Sequence, residues 1–179
     1  MRILQLGKFY PIQGGVEKVM LDLLDGFSKK GIYCDMLCAN SMIGEATQVI
    51  EYNKFAKIYC AKAFCKKFAT MLSWQMVKML HQISSNYDII HIHHPDPMAA
   101  FALLLSGYKG KVVLHWHSDI LKQRLLLKFF MPLQNWLIKR ADMIVGTTPV
   151  YVAQSPHLRK VQKKCTYFPI GIESIAYDD

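Results

Sequence analysis

Cysteine is scarce in this 179-residue sequence, and it is not arranged to bind a metal or to build a disulfide framework. The five cysteines are odd in number, and no two of them have the C-x-x-C spacing of zinc and redox motifs. They are spread over strand-like and helix-like segments, which predicts reduced and mostly buried thiols in a cytosolic protein. The positions are Cys34, Cys38, Cys60, Cys65 and Cys165.

Long apolar runs and acidic residues are also in short supply. The longest unbroken apolar run, residues 98–105, is much shorter than the roughly 20 residues that span a bilayer. Met1 and Arg2 lead directly into a strand, so we expect no secretory signal peptide. Asp and Glu number 13 against 22 Lys and Arg, and the net charge of +9 favours phosphorylated substrates, nucleic acid or an anionic membrane surface. Because no RNP, zinc-finger or helix-turn-helix signature is present, we expect no nucleic-acid partner.

The sequence does contain a strand, a glycine loop and a helix at its start. Residues 2–6 form an apolar run typical of a buried strand, and apolar residues recur at helical spacing over residues 16–27. Gly14 and Gly15 stand just before this helix, where exposed backbone N–H groups can bind a phosphate. The two glycines can also serve only to make the turn, because neither G-x-G-x-x-G nor G-x-x-x-x-G-K-[ST] is present.

The rest of the chain alternates strand and helix, which predicts one α/β domain with a doubly wound parallel sheet, a Rossmann-like fold. We expect a helix that begins at Asp96-Pro97, one helix over residues 64–83, and a helix over residues 120–140 that breaks or kinks at Pro132. If the strands follow the common order 3-2-1-4-5-6, the first and fourth flank a ligand crevice at their carboxyl ends. The strands after the first are predicted at residues 33–39, 57–61, 88–93, 111–116, 142–146 and 165–169.

Histidines cluster at the ends of the fourth and fifth predicted strands, and this is the most informative feature of the sequence. His91 and His115 lie mid-strand, where we expect hydrogen-bonded core residues. His93 and His117 lie beside loops, where we expect contact with a substrate, and His94 begins a loop. Imidazole is a common zinc ligand, but neither the cysteines nor an H-x-x-x-H helix supports a metal site, so we expect none.

Polar residues at the ends of the fifth and sixth strands complete the candidate site. Ser118 and Asp119 follow the fifth strand, and Thr147 follows the sixth. Asp119 can either take part in function or cap the helix that follows it.

Five segments in register resemble the N-terminal domain of retaining GT-B glycosyltransferases, specifically the large group-1 (family four) class that builds bacterial surface polysaccharides. The resemblance covers nearly the whole chain and is weakest over residues 41–85. It implies the N-terminal half of a GT-B fold, in which two Rossmann-like domains face each other across a cleft. The first domain mainly binds the acceptor and the second the nucleotide-sugar. The segments are GKFYPIQGGVEKV, DIIHIHHPDP, VVLHWHSDI, RADMIVGTTP and FPIGIES.

The resemblance also implies roles for individual residues. Gly14 and Gly15 match a glycine loop whose backbone approaches the donor diphosphate. His117 matches the strand-end histidine that contacts the reacting sugar, and it is the candidate catalytic residue. His93 and His94 match positions that line the acceptor side. The family's glutamate pair and the basic residues that clamp the diphosphate lie beyond this chain, which implies half of an enzyme, inactive alone and without its nucleotide-sugar domain.

The implied activity is metal-independent transfer of a sugar from a nucleotide-sugar to a hydroxyl, with retention and without a cofactor. The implied acceptor is a lipid-linked saccharide, and the implied location is the cytoplasm or the inner face of the cell membrane. Basic residues beside an apolar stripe over residues 120–140 suit an anionic bilayer surface, or equally a core helix with a solvated basic face. A free-standing phosphate- or nucleotide-binding module without catalysis is the alternative.

Overall fold

Strands and helices alternate along the chain, as the sequence predicts. In the computed structural model, residues 1–67, 70–119, 124–169 and 171 are described, with residues 124–129 described by their backbone alone. The elements are β1 (Arg2–Tyr10), α1 (Gly15–Lys29), β2 (Tyr33–Asn40), β3 (Gln48–Asn53), β4 (Ala56–Ala61), β5 (Cys65–Lys67), β6 (Thr70–Leu72), α2 (Trp74–Ile83), β7 (Ile89–His94), α3 (Pro97–Ser106), β8 (Lys111–Trp116), α4 (Arg124–Arg140), β9 (Met143–Gly146), α5 (Pro149–Gln154) and β10 (Cys165–Tyr167).

The main sheet has eight strands in the order β10-β9-β8-β7-β1-β2-β4-β3. All neighbours are parallel except β3 and β4, so the predicted order of the first six parallel strands is confirmed. The antiparallel edge strand β3 was not predicted. The order reverses at β1, which lies between β2 and β7, and a crevice at the carboxyl ends of β1 and β7 follows from this topology.

Each face of the sheet has its own apolar core. Along β1, Leu4 and Leu6 belong to the core beneath α2, α3 and α4, whereas Ile3 belongs to the core beneath α1. This alternation is the period of two that a strand buried on both faces requires. All five cysteines are free, and three of them lie in the core beneath α1, which confirms the prediction of mostly buried thiols: Cys34, Cys38 and Cys60.

The predicted helix over residues 64–83 is wrong in its first half. β5 and β6 form a two-stranded antiparallel sheet there, and the helix begins only at Trp74. Ser73 sets this boundary, because its Oγ accepts a hydrogen bond from the backbone N–H of Met76 at 3.0 Å. Met and aromatic residues mixed with lysines produce a pattern that resembles the apolar stripe of a helix. The capping residue Ser73 nevertheless marks where the hairpin of β5 and β6 ends and the helix begins.

The predictions for α3 and α4, which were based on a capping residue and on prolines, had different outcomes. Asp96 caps α3 and Pro97 occupies its first turn, as predicted. α4 runs through Pro132 to Arg140, so of the predicted break or kink at that proline the break is wrong. The part of that predicted helix over residues 120–123 lies outside the described residues.

Candidate active site

Four parallel strands bring the candidate residues to one edge of the sheet. β1, β7, β8 and β9 lie side by side and end at the same edge, hereafter the carboxyl edge. In the strand register, His93 stands beside His115, His94 beside Trp116, and Trp116 beside Gly146. The residues predicted from three different strand ends therefore share one location.

Four imidazole rings form a stack at this edge, hereafter the histidine stack (His91, His93, His115 and His117). The ring centroids of His91 and His93 are 4.7 Å apart, and those of His115 and His117 are 4.0 Å apart. Across the two strands, His93 and His117 are 5.2 Å apart. Alternate residues of a strand share a face, which explains why the pairs on β7 and β8 meet.

Burial keeps the histidine stack uncharged. It lowers the pKa of His91 to about 3, of His115 to about 4 and of His117 to about 2. The pKa of His93 is also well below its ordinary value, first because of burial and then because of the neighbouring imidazoles. At neutral pH each ring therefore has one N–H donor and one acceptor nitrogen. Such a stack suits the recognition of uncharged hydroxyl groups.

A buried glutamine joins the histidine stack through hydrogen bonds. Nε2 of His93 lies 2.5 Å from Oε1 of Gln5, and Nδ1 of His93 lies 2.9 Å from Nε2 of His117. Gln5 lies inside β1 and is fully buried. Sequence reasoning missed this residue, although a polar side chain within an apolar strand is a signal that could have revealed it.

The other histidines differ from expectation. Nε2 of His91 and both ring nitrogens of His115 are buried and have no hydrogen-bond partner among the described residues, so the prediction of hydrogen-bonded core histidines is wrong. His94 ends β7 rather than beginning a loop. Its ring lies flat on Trp116 with centroids 3.9 Å apart, and burial lowers its pKa to about 3. His94 thus forms part of the wall beneath the site.

The histidine stack also brings together nitrogen atoms that could hold a metal ion. One nitrogen from each of His91, His93 and His115 lies within 4.8 Å of the others. However, the rings of His91 and His115 are within 5° of parallel, so the lone pairs in their planes do not converge on one point. Both nitrogens of His93 already have partners. Metal binding would require these rings to turn and the chain of hydrogen bonds to break.

Asp96 fixes the loop that leads out of β1. Its Oδ1 accepts hydrogen bonds from the backbone N–H groups of Met98 and Ala99, and its Oδ2 accepts one from that of Lys8. Lys8 and Gly7 have φ angles of 54° and 139°, so β1 is irregular where it reaches the carboxyl edge. Burial raises the pKa of Asp96, although these three N–H groups act in the opposite direction.

The glycine pair lies at the amino end of α1 and is exposed. Gly14 is the N-cap residue, extended at φ −154°, and no side chain caps this end of the helix. A Cβ at Gly14 would lie 2.7 Å from Oε2 of Glu17, whereas one at Gly15 would meet nothing within 4 Å. Glu17 is only 6% exposed, and sequence reasoning missed it. Gly14 is therefore the glycine at which a side chain would disturb the loop.

The three polar candidates around β8 and β9 have different surroundings. Oδ1 of Asp119 accepts hydrogen bonds from Nε1 of Trp116 at 2.8 Å and from Oγ of Ser155 at 3.0 Å. These bonds tie the end of β8 to the segment after α5. Ser118 is exposed, and Thr147 is partly exposed at the end of β9. Both have room to contact a substrate, and Asp119 supports the loop that carries Ser118.

Comparison with known proteins places this geometry in a family. The sequence profile of Glycosyltransferase Family 4 matches residues 13–174. The chain belongs to Glycosyltransferase Family 4. One relative in that class of enzymes is the O-antigen chain mannosyltransferase C of Escherichia coli, 34% identical over 175 residues. Another is the D-rhamnosyltransferase WbpZ of Pseudomonas aeruginosa, 27% identical over 179 residues.

This member of Glycosyltransferase Family 4 is shorter than its relatives, and it shares its fold with solved structures. The two relatives are matched over 97% and 99% of this chain, but the chain spans only 46% of the length of each. The crystal structure of Anabaena HepE with UDP-glucose superposes with a TM-score of 0.61 at 13% identity, over 96% of this chain and 44% of that one. The predicted Rossmann-like fold, as found in GT-B glycosyltransferases, is confirmed.

Proposed function

We propose that this chain is the acceptor-side domain of a glycosyltransferase that moves a sugar from a nucleotide-sugar to a saccharide hydroxyl, with retention. The neutral histidine stack, which ends in the partly exposed His117, carries this proposal. Sugar hydroxyls are uncharged donors and acceptors, and neutral imidazole matches them in both roles. Relatives named for mannosyl and rhamnosyl transfer, and the UDP-glucose complex of HepE, support a nucleotide-sugar donor.

Each part of the carboxyl edge has a role in this proposal. His117 contacts a hydroxyl of the reacting sugar, and Ser118 and Thr147 line the acceptor side. His93 was predicted to contact a substrate, but it is fully buried and instead holds His117 through a hydrogen bond. The open amino end of α1 at Gly14 directs backbone N–H groups outward, and such groups stabilise the charge of a leaving diphosphate. The cationic clamp for that diphosphate belongs to a second, nucleotide-sugar domain, because the curated relatives are about twice the length of this chain.

An apolar cavity beside the hairpin supports a lipid-linked acceptor. The cavity has a volume of about 210 Å³ and lies between the β5–β6 hairpin and the starts of α2 and α3. Trp74 and Phe64 are 62% and 52% exposed at its rim, and exposed Lys66 and Lys67 belong to the same hairpin. Aromatic rings beside lysines favour a membrane interface with anionic lipid. The lining residues are Phe64, Leu72, Trp74, Pro97, Met98 and Phe101.

The second half of the helix with a basic face packs in the core. In the part of α4 with described side chains, Phe130, Leu137 and Ile138 are buried in the sheet core. Arg140 donates hydrogen bonds to the backbone carbonyls of Tyr108 and Gly110. No helix among the described residues is long and apolar enough to cross a bilayer. We therefore assign membrane contact to the rim of the cavity.

Vesicle binding tests this assignment. The natural-length protein should co-sediment with phosphatidylglycerol vesicles more than with phosphatidylcholine vesicles, and added salt should weaken binding. The double substitution Phe64→Ala and Trp74→Ala should reduce binding severalfold, because both rings lie at the cavity rim. Tyr167→Ala, an exposed aromatic on β10, is the matched control and should leave binding unchanged. Equal loss in both variants would remove the cavity from the proposal.

A transfer assay tests the proposed activity. The natural-length protein is incubated with a panel of nucleotide-sugars and mannose-containing saccharide acceptors, and the anomeric configuration of the product is read by NMR. His117→Ala should lower kcat by roughly 100-fold or more. His81→Ala on α2 is the matched control, since its Nδ1 contacts only the carbonyl of Ser106 at 3.3 Å among the contacts described. Nucleotide-sugar binding without transfer by any panel member would instead support a non-catalytic module.

A further inference from the structure

We propose that Gln5 is a positioning residue that sets the tautomer of His117 through His93, so that His117 meets the sugar with Nδ1 as a hydrogen-bond acceptor. The inference rests on the proposed function, because it assigns His117 to the reacting sugar. It adds a named residue, a direction of hydrogen bonding and a requirement on the substrate.

The amide group of Gln5 determines which atom donates in its hydrogen bond with His93. Oε1 of Gln5 faces Nε2 of His93, and Nε2 of Gln5 lies 3.7 Å from Sγ of Cys34, which accepts from it. A carbonyl oxygen only accepts hydrogen bonds, and therefore Nε2 of His93 must carry the proton across the 2.5 Å contact. Gln5 is fully buried, so water does not compete for this bond.

The proton on Nε2 of His93 in turn determines which nitrogen of His117 is protonated. A neutral imidazole has a single N–H, so His93 can present only a lone pair at Nδ1. That atom lies 2.9 Å from Nε2 of His117, which must donate. The remaining nitrogen of His117, Nδ1, is then an acceptor. The chain of hydrogen bonds is thus fixed from its buried end to its exposed end.

No other described group competes for control of this chain. The neighbouring rings of His91 and His115 stack on it, but their buried nitrogens have no hydrogen-bond partner. Lys8 is the charged group whose field reaches both His93 and His117, and its positive charge opposes protonation of either ring. Both rings therefore stay neutral, as a fixed tautomer requires.

The consequence is a requirement on the sugar. An acceptor at Nδ1 of His117 needs a hydroxyl that donates, so the reacting sugar must carry a free hydroxyl at the position that faces this histidine. An analogue with hydrogen or a methoxy group at that position leaves the lone pair without a partner. Transfer from such an analogue should fall by roughly 10- to 100-fold.

The ¹⁵N spectrum of the histidine rings measures the tautomer directly. In the natural-length protein, Nε2 of His117 and Nε2 of His93 should show the pyrrole-type shift of a protonated nitrogen, and both Nδ1 atoms the pyridine-type shift. Gln5→Leu should move the His117 shifts toward intermediate values as the tautomers mix, and should lower kcat by roughly 10- to 100-fold. Gln134→Leu is the matched control, a buried glutamine outside the stack, and should change neither readout.

The outcomes separate this inference from the proposed function. A pyridine-type shift at Nε2 of wild-type His117, or His117 shifts unmoved in Gln5→Leu, would overturn the positioning role even if His117→Ala abolishes transfer. The expected shifts combined with full activity of His117→Ala would leave the tautomer assignment standing and would refute the role of His117 in transfer. The wild-type spectrum alone decides the direction if Gln5→Leu does not fold.

Discussion

The two edges of the sheet treat their polar groups in opposite ways. At the amino edge, where the strands begin, carboxylates are paired: Asp142 lies 3.0 Å from Nζ of Lys111, and Asp35 lies 3.7 Å from the guanidinium of Arg2. The pKa of Asp142 is lowered, first because it accepts a hydrogen bond from the backbone N–H of Val112. At the carboxyl edge, ring nitrogens of His91, His94 and His115 are buried and have no hydrogen-bond partner among the residues that the structure describes.

This difference separates scaffold from site. Buried polar groups are usually hydrogen-bonded, because an unpaired one costs about 1–3 kcal/mol. The amino edge follows that rule, because its carboxylates are paired with cationic groups of the same chain. The carboxyl edge retains unused hydrogen-bonding capacity in neutral rings, at the place where the topology puts a ligand crevice.

The largest loss of stability expected from a single substitution lies at the amino edge. Asp35 is buried and accepts hydrogen bonds from the hydroxyl of Tyr87 at 2.6 Å and from the backbone N–H of Lys57 at 2.8 Å. Asp35→Ala leaves both donors unpaired, so the free energy of unfolding should fall by about 3 kcal/mol in urea titration. A loss below about 1 kcal/mol would show that this edge is not the self-contained scaffold described here.

The glycine loop should affect activity more than stability. Gly14→Ala places a Cβ 2.7 Å from Oε2 of Glu17, so the carboxylate of Glu17 must move at the amino end of α1. We expect transfer by the natural-length protein to fall about tenfold, because small displacements of positioned groups are costly. Gly26→Ala is the control within the same helix, where a Cβ meets nothing within 4 Å. Equal kinetics in both variants would remove Gly14 from the diphosphate loop.

Much of the fold that produces these two edges could be predicted from the sequence. Apolar runs and cap residues predicted the parallel strands and the start of α3, because burial on both faces of a parallel sheet leaves a strong pattern. The strand order was taken from the common arrangement of such sheets. The hairpin at β5 and β6 was missed, because Met71 and its neighbours fit a helical stripe equally well. Gln5 and Glu17 were missed for a different reason. Gln5 matters through its contact with His93, and Glu17 through its position beside Gly14, and only the folded chain brings these residues together.

Low pH should lower the free energy of unfolding, because the histidines at the carboxyl edge are buried in their neutral form. Unfolded histidine binds a proton below its ordinary pKa of about 6.5, whereas burial holds the pKa of His91, His115 and His117 at about 3, 4 and 2. Between these values the unfolded chain binds more protons, so stability is full above pH 6.5 and falls as the pH falls. Each such histidine contributes a slope of about 1.4 kcal/mol per pH unit, measurable by urea titration from pH 7 to pH 5. A stability that does not change over this range would contradict neutral burial of the stack.

The smallest expected effect is a gain. His115→Phe removes two buried nitrogens that have no partner in the described part of the chain, so the free energy of unfolding at pH 7 should rise by about 0.5–1 kcal/mol. His93→Phe is the matched substitution at the neighbouring register position, where both nitrogens have partners, and it should destabilise by about 2 kcal/mol. Similar losses in both variants would mean that the unpaired nitrogens of His115 carry no cost.

Binding observed residue by residue compares the two edges most directly. Backbone amide NMR of the natural-length protein is recorded with UDP-glucose and a mannose disaccharide added in turn. The shifts should move at Gly14, Gly15, His93 and His117 of the carboxyl edge, and should stay unchanged at Arg2, Asp88 and Lys111 of the amino edge. Shifts that move only at the amino edge, or saturating binding that moves no residue of the carboxyl edge, would contradict the assignment of the histidine stack to the substrate.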